Sequence, residues 1–169
     1  NTGTIHMSNL CTEITLPQDK DHIAVCNLAS INLVTHLKNR EINWAKLEES
    51  TRLIVRQLDA LIDINVLPII EAERADKENR AVGLGVMGFA DLLFQLKVKY
   101  NSREGFALAE KIMEFIQSVA EEMSRELADE KGIFPNYDLS VFKDRGIKQR
   151  NVALTTVAPT GSIAMMFDT

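Results

Sequence analysis

A chain of 169 residues, 46% apolar and 25% charged, has the makeup of one globular unit and excludes disordered, collagen-like and linker sequences. Its net charge of -5 argues against nucleic acid as a partner, because a phosphate-binding surface needs an excess of Lys and Arg. Two cysteines are too few for a disulfide scaffold, and no apolar run approaches the ~20 residues of a membrane helix.

Asn1 to His6 carry neither the basic region nor the apolar stretch of a signal peptide. The chain opens without Met and closes just after the apolar run Ile163 to Phe167, so residues 1–169 are read as a single partial domain, a piece of a longer protein. Ile14, Leu16, Ile23 and Val25 alternate in two short runs around Pro17 and Asp19–Asp21, which predicts two strands joined by a loop. Ser30 is placed to cap a short helix through Leu37. Asn43 starts a clearer helix, with Leu47, Ile54, Leu58, Leu61 and Ile62 at helical spacing, and Pro68 bounds it. Residues 71–80 carry seven charges in ten and read as a solvated loop or helix end.

Ala81 to Leu96 begins apolar and glycine-rich and then turns helical. Ser102 to Lys131 is the strongest helix, with a stripe through Phe106, Ala109, Ile112, Met113, Ile116, Val119, Ala120, Met123 and Leu127 and a stop at Gly132. Residues 133–150 read as loop. Asn151 to Val157 is rich in β-branched residues and reads as a strand. Strands alternating with helices predict a mainly parallel α/β architecture.

Gly83-Leu84-Gly85-Val86-Met87-Gly88 fits G-x-G-x-x-G, but the strand before it is short and no acidic residue stands at a second strand end ~20 residues on. The glycines are therefore read as a tight strand-to-helix turn that lets Phe89 pack closely. His6, His22 and His36 lack metal-ligand spacing. Ala158-Pro159-Thr160-Gly161-Ser162-Ile163-Ala164 is either a phosphate-binding strand-to-helix loop or an ordinary one with Ser162 as cap. In an extended chain Asn9, Cys11 and Glu13 point the same way and present an amide, a thiol and a carboxylate on one face. A buried core Cys11 is the plainer reading of the residues alone.

Ser8-Asn9-Leu10-Cys11-Thr12-Glu13-Ile14 and Ala24-Val25-Cys26-Asn27-Leu28-Ala29-Ser30-Ile31, followed in order by Arg80 to Leu93 and Ala158-Pro159-Thr160-Gly161-Ser162, resemble the catalytic large subunit of ribonucleotide reductase. The resemblance implies an α/β fold, part of a ten-stranded α/β barrel with a catalytic finger loop threaded through it. It implies that Cys11 becomes a thiyl radical and takes the 3′ hydrogen of the ribose. Glu13 then takes the 3′-hydroxyl proton, Asn9 holds the substrate, and Cys26 is one of two reducing thiols. Ser8, Asn9, Leu10, Cys11 and Glu13 contact substrate, and Pro159, Thr160, Gly161, Ser162 and Ile163 cradle its phosphates. The second reducing thiol and the nucleotide effector sites belong to family segments before this one, and a re-reducing cysteine pair to segments after it.

The implied substrate is a ribonucleoside diphosphate, reduced in the cytoplasm for DNA synthesis by a homodimer of the full subunit, with thioredoxin or glutaredoxin as reductant. No cofactor or metal is expected on this piece. A metal-containing small subunit supplies the radical; the alternative is adenosylcobalamin. Leu10 and Thr12 around Cys11 favour the small-subunit branch, since the cobalamin branch more often has proline and glycine there. Two rival readings are a non-catalytic α/β scaffold with buried cysteines and a redox switch pairing Cys11 with Cys26.

Overall fold

The computed structural model describes residues 3–169; Asn1 and Thr2, which open the stretch scanned for a leader, lie outside the described residues. Strand β1, Asn27–Asn32, runs into a 3-10 turn at Leu33–His36 and a small antiparallel hairpin, β2 Leu37–Lys38 and β3 Glu41–Ile42. Asn39 and Arg40 turn that hairpin with φ of 54° and 62°, the left-handed pair that matches strand twist. Helix α1, Trp44–Ile64, begins where the Asn43 side chain accepts the Lys46 amide at 3.1 Å, and it ends short of Pro68. Helix α2, Ile70–Asn79, leads through Arg80 to strand β4, Val82–Met87, and helix α3, Phe89–Leu96. Helix α4, Arg103–Lys131, is capped by Ser102 and stops at Gly132. Two short helices follow, α5 Val141–Asp144 and α6 Gly161–Met166.

β1 and β4 pair in parallel, Asn27 opposite Val82 and Asn32 opposite Met87, with α1 and α2 as the crossover between them. Residues 153–156 lie along β4: Val82 N–H donates to Ala153 O at 3.1 Å, Leu84 N–H to Leu154 O at 2.8 Å, and Thr156 N–H to Leu84 O at 3.1 Å. The buried stripes of α1 (Leu47, Val55, Leu58, Ile62) and α4 (Ile112, Ile116, Ala120, Met123, Leu127) close over Ile31, Val82, Leu84 and Leu154 in one core. The two helices also meet through the exposed pairs Arg52–Glu126 and Arg56–Glu130, which contribute little because water screens them.

The glycine motif serves this packing. A Cβ on Gly83 would stand 2.5 Å from the Leu28 side chain and 2.8 Å from that of Thr156, and one on Gly85 would stand 2.6 Å from Thr156 O. The surface a pyrophosphate would approach is thus filled by neighbouring strands, and Gly88 makes the strand-to-helix turn at φ +73°.

Four expectations are corrected. Residues 3–26 contain no strand: their backbone bonds go to turns and to α2, as with Asp19 N–H to His22 O and Ile23 N–H to Glu71 O, both at 3.1 Å. Ser30 lies within β1, and Asn32, whose side chain accepts the Val34 amide at 3.0 Å, caps the 3-10 turn instead. Residues 71–79 belong to an ordered helix whose Ala72, Ala75 and Asp76 are buried, with Arg80 as its left-handed cap. The stretch 151–157 keeps β4 company but closes only one bridge, Leu84 to Thr155.

A buried carboxylate ties these parts together. Asp59 of α1 is fully buried and accepts from Arg80 Nε at 2.9 Å, Asn151 Nδ2 at 3.2 Å, Arg150 Nε at 3.3 Å and Lys131 Nζ at 3.2 Å. Arg80 also reaches Asp63 at 2.8 Å, and Asn151 accepts from Ser124 at 3.0 Å. Removing one partner of such a group leaves uncompensated charge in the interior. Asp59→Ala is expected to lower unfolding free energy by about 3–5 kcal/mol, measured by urea denaturation, whereas Glu126→Ala on the exposed face leaves the midpoint nearly unchanged.

Candidate functional site

The segment holding Cys11 is a tight reversal rather than an extended strand. The Asn9 side-chain oxygen accepts the Ile14 amide at 2.9 Å, Thr12 N–H donates to Asn9 O at 3.0 Å, and Thr12 takes φ +67°. An Asn side chain that bonds nearby backbone competes with strand pairing and favours a turn. The expectation that Asn9, Cys11 and Glu13 share one face of an extended chain is therefore corrected. Leu10 and Cys11 stand exposed at the tip, Ser8 is half-buried at the base, and Glu13 turns inward. Thr156 Oγ1 donates to Glu13 O at 2.7 Å and fixes that inward turn to the strand-like segment beside β4.

Glu13 lies between two hollows. One is lined by Glu13, Leu16, Cys26, Val82, Thr155 and Thr156. The other is an open cleft of 330 Å³ between Glu13, the Leu28–Ser30 edge of β1 and the loop 158–163, a volume at the lower end of small-molecule sites. The Glu13 Oε2 atom is buried and has no hydrogen-bond partner. Cys26 is half-buried; burial first, and then the carboxylates of Asp76 and Glu13, push its thiol up to about 12. At neutral pH it is a thiol that holds its hydrogen, not a reactive thiolate.

Across the cleft, Thr160 takes φ +58° and α6 begins; its first internal bond is Ala164 N–H to Thr160 O at 2.8 Å, so the amides before Ala164 precede the helical ladder. Space beside Gly161 is open. The structure thus brings together Glu13, Cys26 and Pro159, Thr160, Gly161, Ser162 and Ile163. It leaves Ser8, Asn9, Leu10 and Cys11 outside the lining of both hollows.

The strap from Pro17 to Cys26 is pinned by His22, which contacts Asp19 at 2.8 Å through Nδ1 and Glu78 of α2 at 3.1 Å through Nε2. The bond to Asp19 first, and that to Glu78 after it, raise the imidazole pKa above its ordinary value. Sequence reading passed over Thr156 and Asp76. Thr156 carries no motif of its own. Asp76 hides in a charged run, although Ala72 and Ala75 at helical spacing mark a buried face that includes it. A larger cleft of 480 Å³ lies at Trp44, Lys111 and Phe115 between α1 and α4, where Lys111 stacks 5.0 Å over the indole; it holds none of these groups.

Comparison with known proteins assigns the arrangement to a family. The family described as "Ribonucleotide reductase, barrel domain" matches residues 1–149. A vitamin B12-dependent ribonucleoside-diphosphate reductase of Thermoplasma acidophilum is 39% identical over 98% of this chain and 21% of its own length. A ribonucleoside-diphosphate reductase subunit alpha of Chlamydia pneumoniae is 43% identical over 86% of this chain and 14% of its own length. The large chain of Schizosaccharomyces pombe is 41% identical over 82% of this chain and 17% of its own length. The chain belongs to the ribonucleotide reductase barrel-domain family, spans about a fifth or less of these relatives, and its parallel sheet with covering helices is an α/β segment of that barrel. No helix among the described residues is long and apolar enough to cross a membrane.

The protonated Cys26 has measurable consequences. The folded thiol keeps its proton above the ordinary value of 9.0, so its contribution to stability is complete below pH 9 and is lost as the pH climbs towards about 12. At pH 8, iodoacetamide is expected to modify Cys26 at least ~100-fold more slowly in the folded protein than in denaturant, followed peptide by peptide with mass spectrometry. Equal rates would contradict the assignment.

Proposed function

We propose that this chain carries the radical cysteine, its base, one reducing thiol and the phosphate loop of a ribonucleoside-diphosphate reductase. Cys11, as a thiyl radical, takes the 3′ hydrogen of the ribose. Glu13 accepts the 3′-hydroxyl proton, which helps the substrate radical expel its 2′ oxygen as water. Cys26 and a second thiol outside these residues deliver two protons and two electrons and end as a disulfide. The Cys11 hydrogen then returns to the 3′ carbon. The amide oxygen of Asn9 is engaged by Ile14, which leaves its NH2 group to donate to substrate.

The observation that carries this reading is the buried, partnerless Glu13 Oε2 set between the Cys26 thiol and the 159–163 loop. A buried carboxylate oxygen without a partner calls for one, and a ribose hydroxyl supplies it. A diphosphate against the amides ahead of Ala164 provides binding energy far from the reacting carbon, which serves positioning. Relatives named as B12-dependent and relatives named as alpha subunits match at similar identity. On this reading the radical source lies outside these residues: a metal-containing small subunit, with adenosylcobalamin as the alternative. The reading extends to thioredoxin or glutaredoxin as reductant and to a homodimeric full subunit.

In the intact enzyme, Cys11→Ser is expected to abolish turnover while leaving diphosphate binding within a few-fold. Cys26→Ser is expected to stop deoxynucleotide formation yet retain 3′-hydrogen exchange and release free base, as the substrate radical decomposes without a reductant. Full turnover in either variant would return the cysteines to a scaffold role.

A further inference from the structure

Among the described residues, two buried side-chain oxygens lack a hydrogen-bond partner: Glu13 Oε2 and Asp76 Oδ2. Both belong to carboxyls whose charge acts on Cys26. Glu13 has its place in the reaction proposed above; Asp76 has none. It sits on α2 at 1% exposure, and its Oδ1 accepts Asn27 Nδ2 at 3.2 Å. Asn27 adjoins Cys26 and opens β1, and its own side-chain oxygen accepts Asn65 Nδ2 at 2.8 Å. The first residue of β1 is thereby clamped between α2 and the end of α1.

Packing does not account for the carboxyl. The Arg80 fork is taken up by Asp59 and Asp63, not by Asp76. Ala72 and Ala75 show that the same helix face is otherwise filled by small apolar side chains. A buried carboxyl with one oxygen unpaired weakens a fold, and groups of that kind collect where function needs them.

We propose that Asp76 is a positioning residue for the reducing thiol: through Asn27 it fixes the start of β1 beside Cys26 and keeps a buried carboxylate acting on the sulfur. The inference rests on Cys26 being a reductant. The groups that face this pair are few. Burial first, and Asp63 of α1 after it, raise the Asp76 carboxyl above its ordinary value, against Lys77 of α2, Arg80 at its C-cap and Asn27 of β1, which favour the charged form. Glu13, from the turn that carries Cys11, is the second carboxylate acting on Cys26. Two carboxylates near a half-buried sulfur disfavour thiolate, which protects a reductant from premature oxidation and alkylation.

The test is alkylation of Cys26 in the intact subunit at pH 8–9.5, with neutral iodoacetamide and anionic iodoacetate compared on the Cys26 peptide by mass spectrometry. Asp76→Asn keeps an oxygen to accept from Asn27 and removes the charge. Both reagents are expected to react faster, by about tenfold for a loss of one pH unit in the thiol. Iodoacetate gains most, so the iodoacetamide-to-iodoacetate ratio falls several-fold. A loosened fold accelerates both reagents by one factor and leaves the ratio alone; that result, or unchanged rates, overturns the proposal. If Asp76→Asn does not fold, Asp76→Ser supplies the same comparison. Alkylation needs no turnover, so it separates the role of Asp76 from that of Cys26: an active Cys26→Ser enzyme would remove the reductant while the ratio still reported the charge.

Discussion

One of the buried carboxylates, Asp59, determines where the rest of the structure lies. Its donors come from the C-cap of α2 (Arg80), the last residue of α4 (Lys131) and the segment entering the sheet (Arg150 and Asn151). The donors reach it from three separate parts of the chain, so the cluster sets the mutual position of α1, α4, β4 and residues 153–156 in one step. A buried charge tolerates few arrangements, because any other leaves it without partners. Apolar packing among Leu58, Ile62, Ile116 and Leu127 supplies most of the driving force but is less exacting about geometry.

The site inherits its geometry from that cluster. Asn151 anchors the chain, residues 153–156 follow β4, and Thr156 then holds the carbonyl of Glu13. The glycines at 83 and 85 let the three segments approach closely enough for this, since a side chain at either would strike Leu28 or Thr156. Loop, strap and sheet thus converge on one carboxyl oxygen that the protein itself leaves unpaired. The Cys11 turn, in contrast, is held by its own short-range bonds and stands out from the surface.

The helices were legible because their signals are local: starts at Asn43 and Ser102, Gly132 as a stop and the apolar stripes between them. The parallel α/β class and the glycine turn before Phe89 followed from the same kind of pattern. The Ile14–Val25 alternation misled because a strap lying half-buried against other elements shows the same period as a strand, while its hydrogen bonds go to turns and to Glu71. The charged run at 71–80 misled for the opposite reason: its carboxylates and Arg80 find partners far away in sequence, which no local pattern displays. For the candidate site, motif order pointed to Glu13, Cys26 and the 159–163 loop; Cys26 lines one hollow and the loop lines another, and Glu13 belongs to both. The roles of Thr156 and Asp76 depend on contacts that span the chain, and the turned rather than extended Asn9–Glu13 segment depends on the amide of Ile14.

The central claim is that Glu13 Oε2 and the 159–163 loop are two ends of one substrate site. A crystal structure of the intact subunit with a bound ribonucleoside diphosphate tests it most directly. The account predicts the diphosphate against Thr160 to Ile163 and the 3′-hydroxyl on Glu13, with the 2′ carbon facing Cys26. A ribose bound away from Glu13, or a diphosphate held elsewhere, would contradict it.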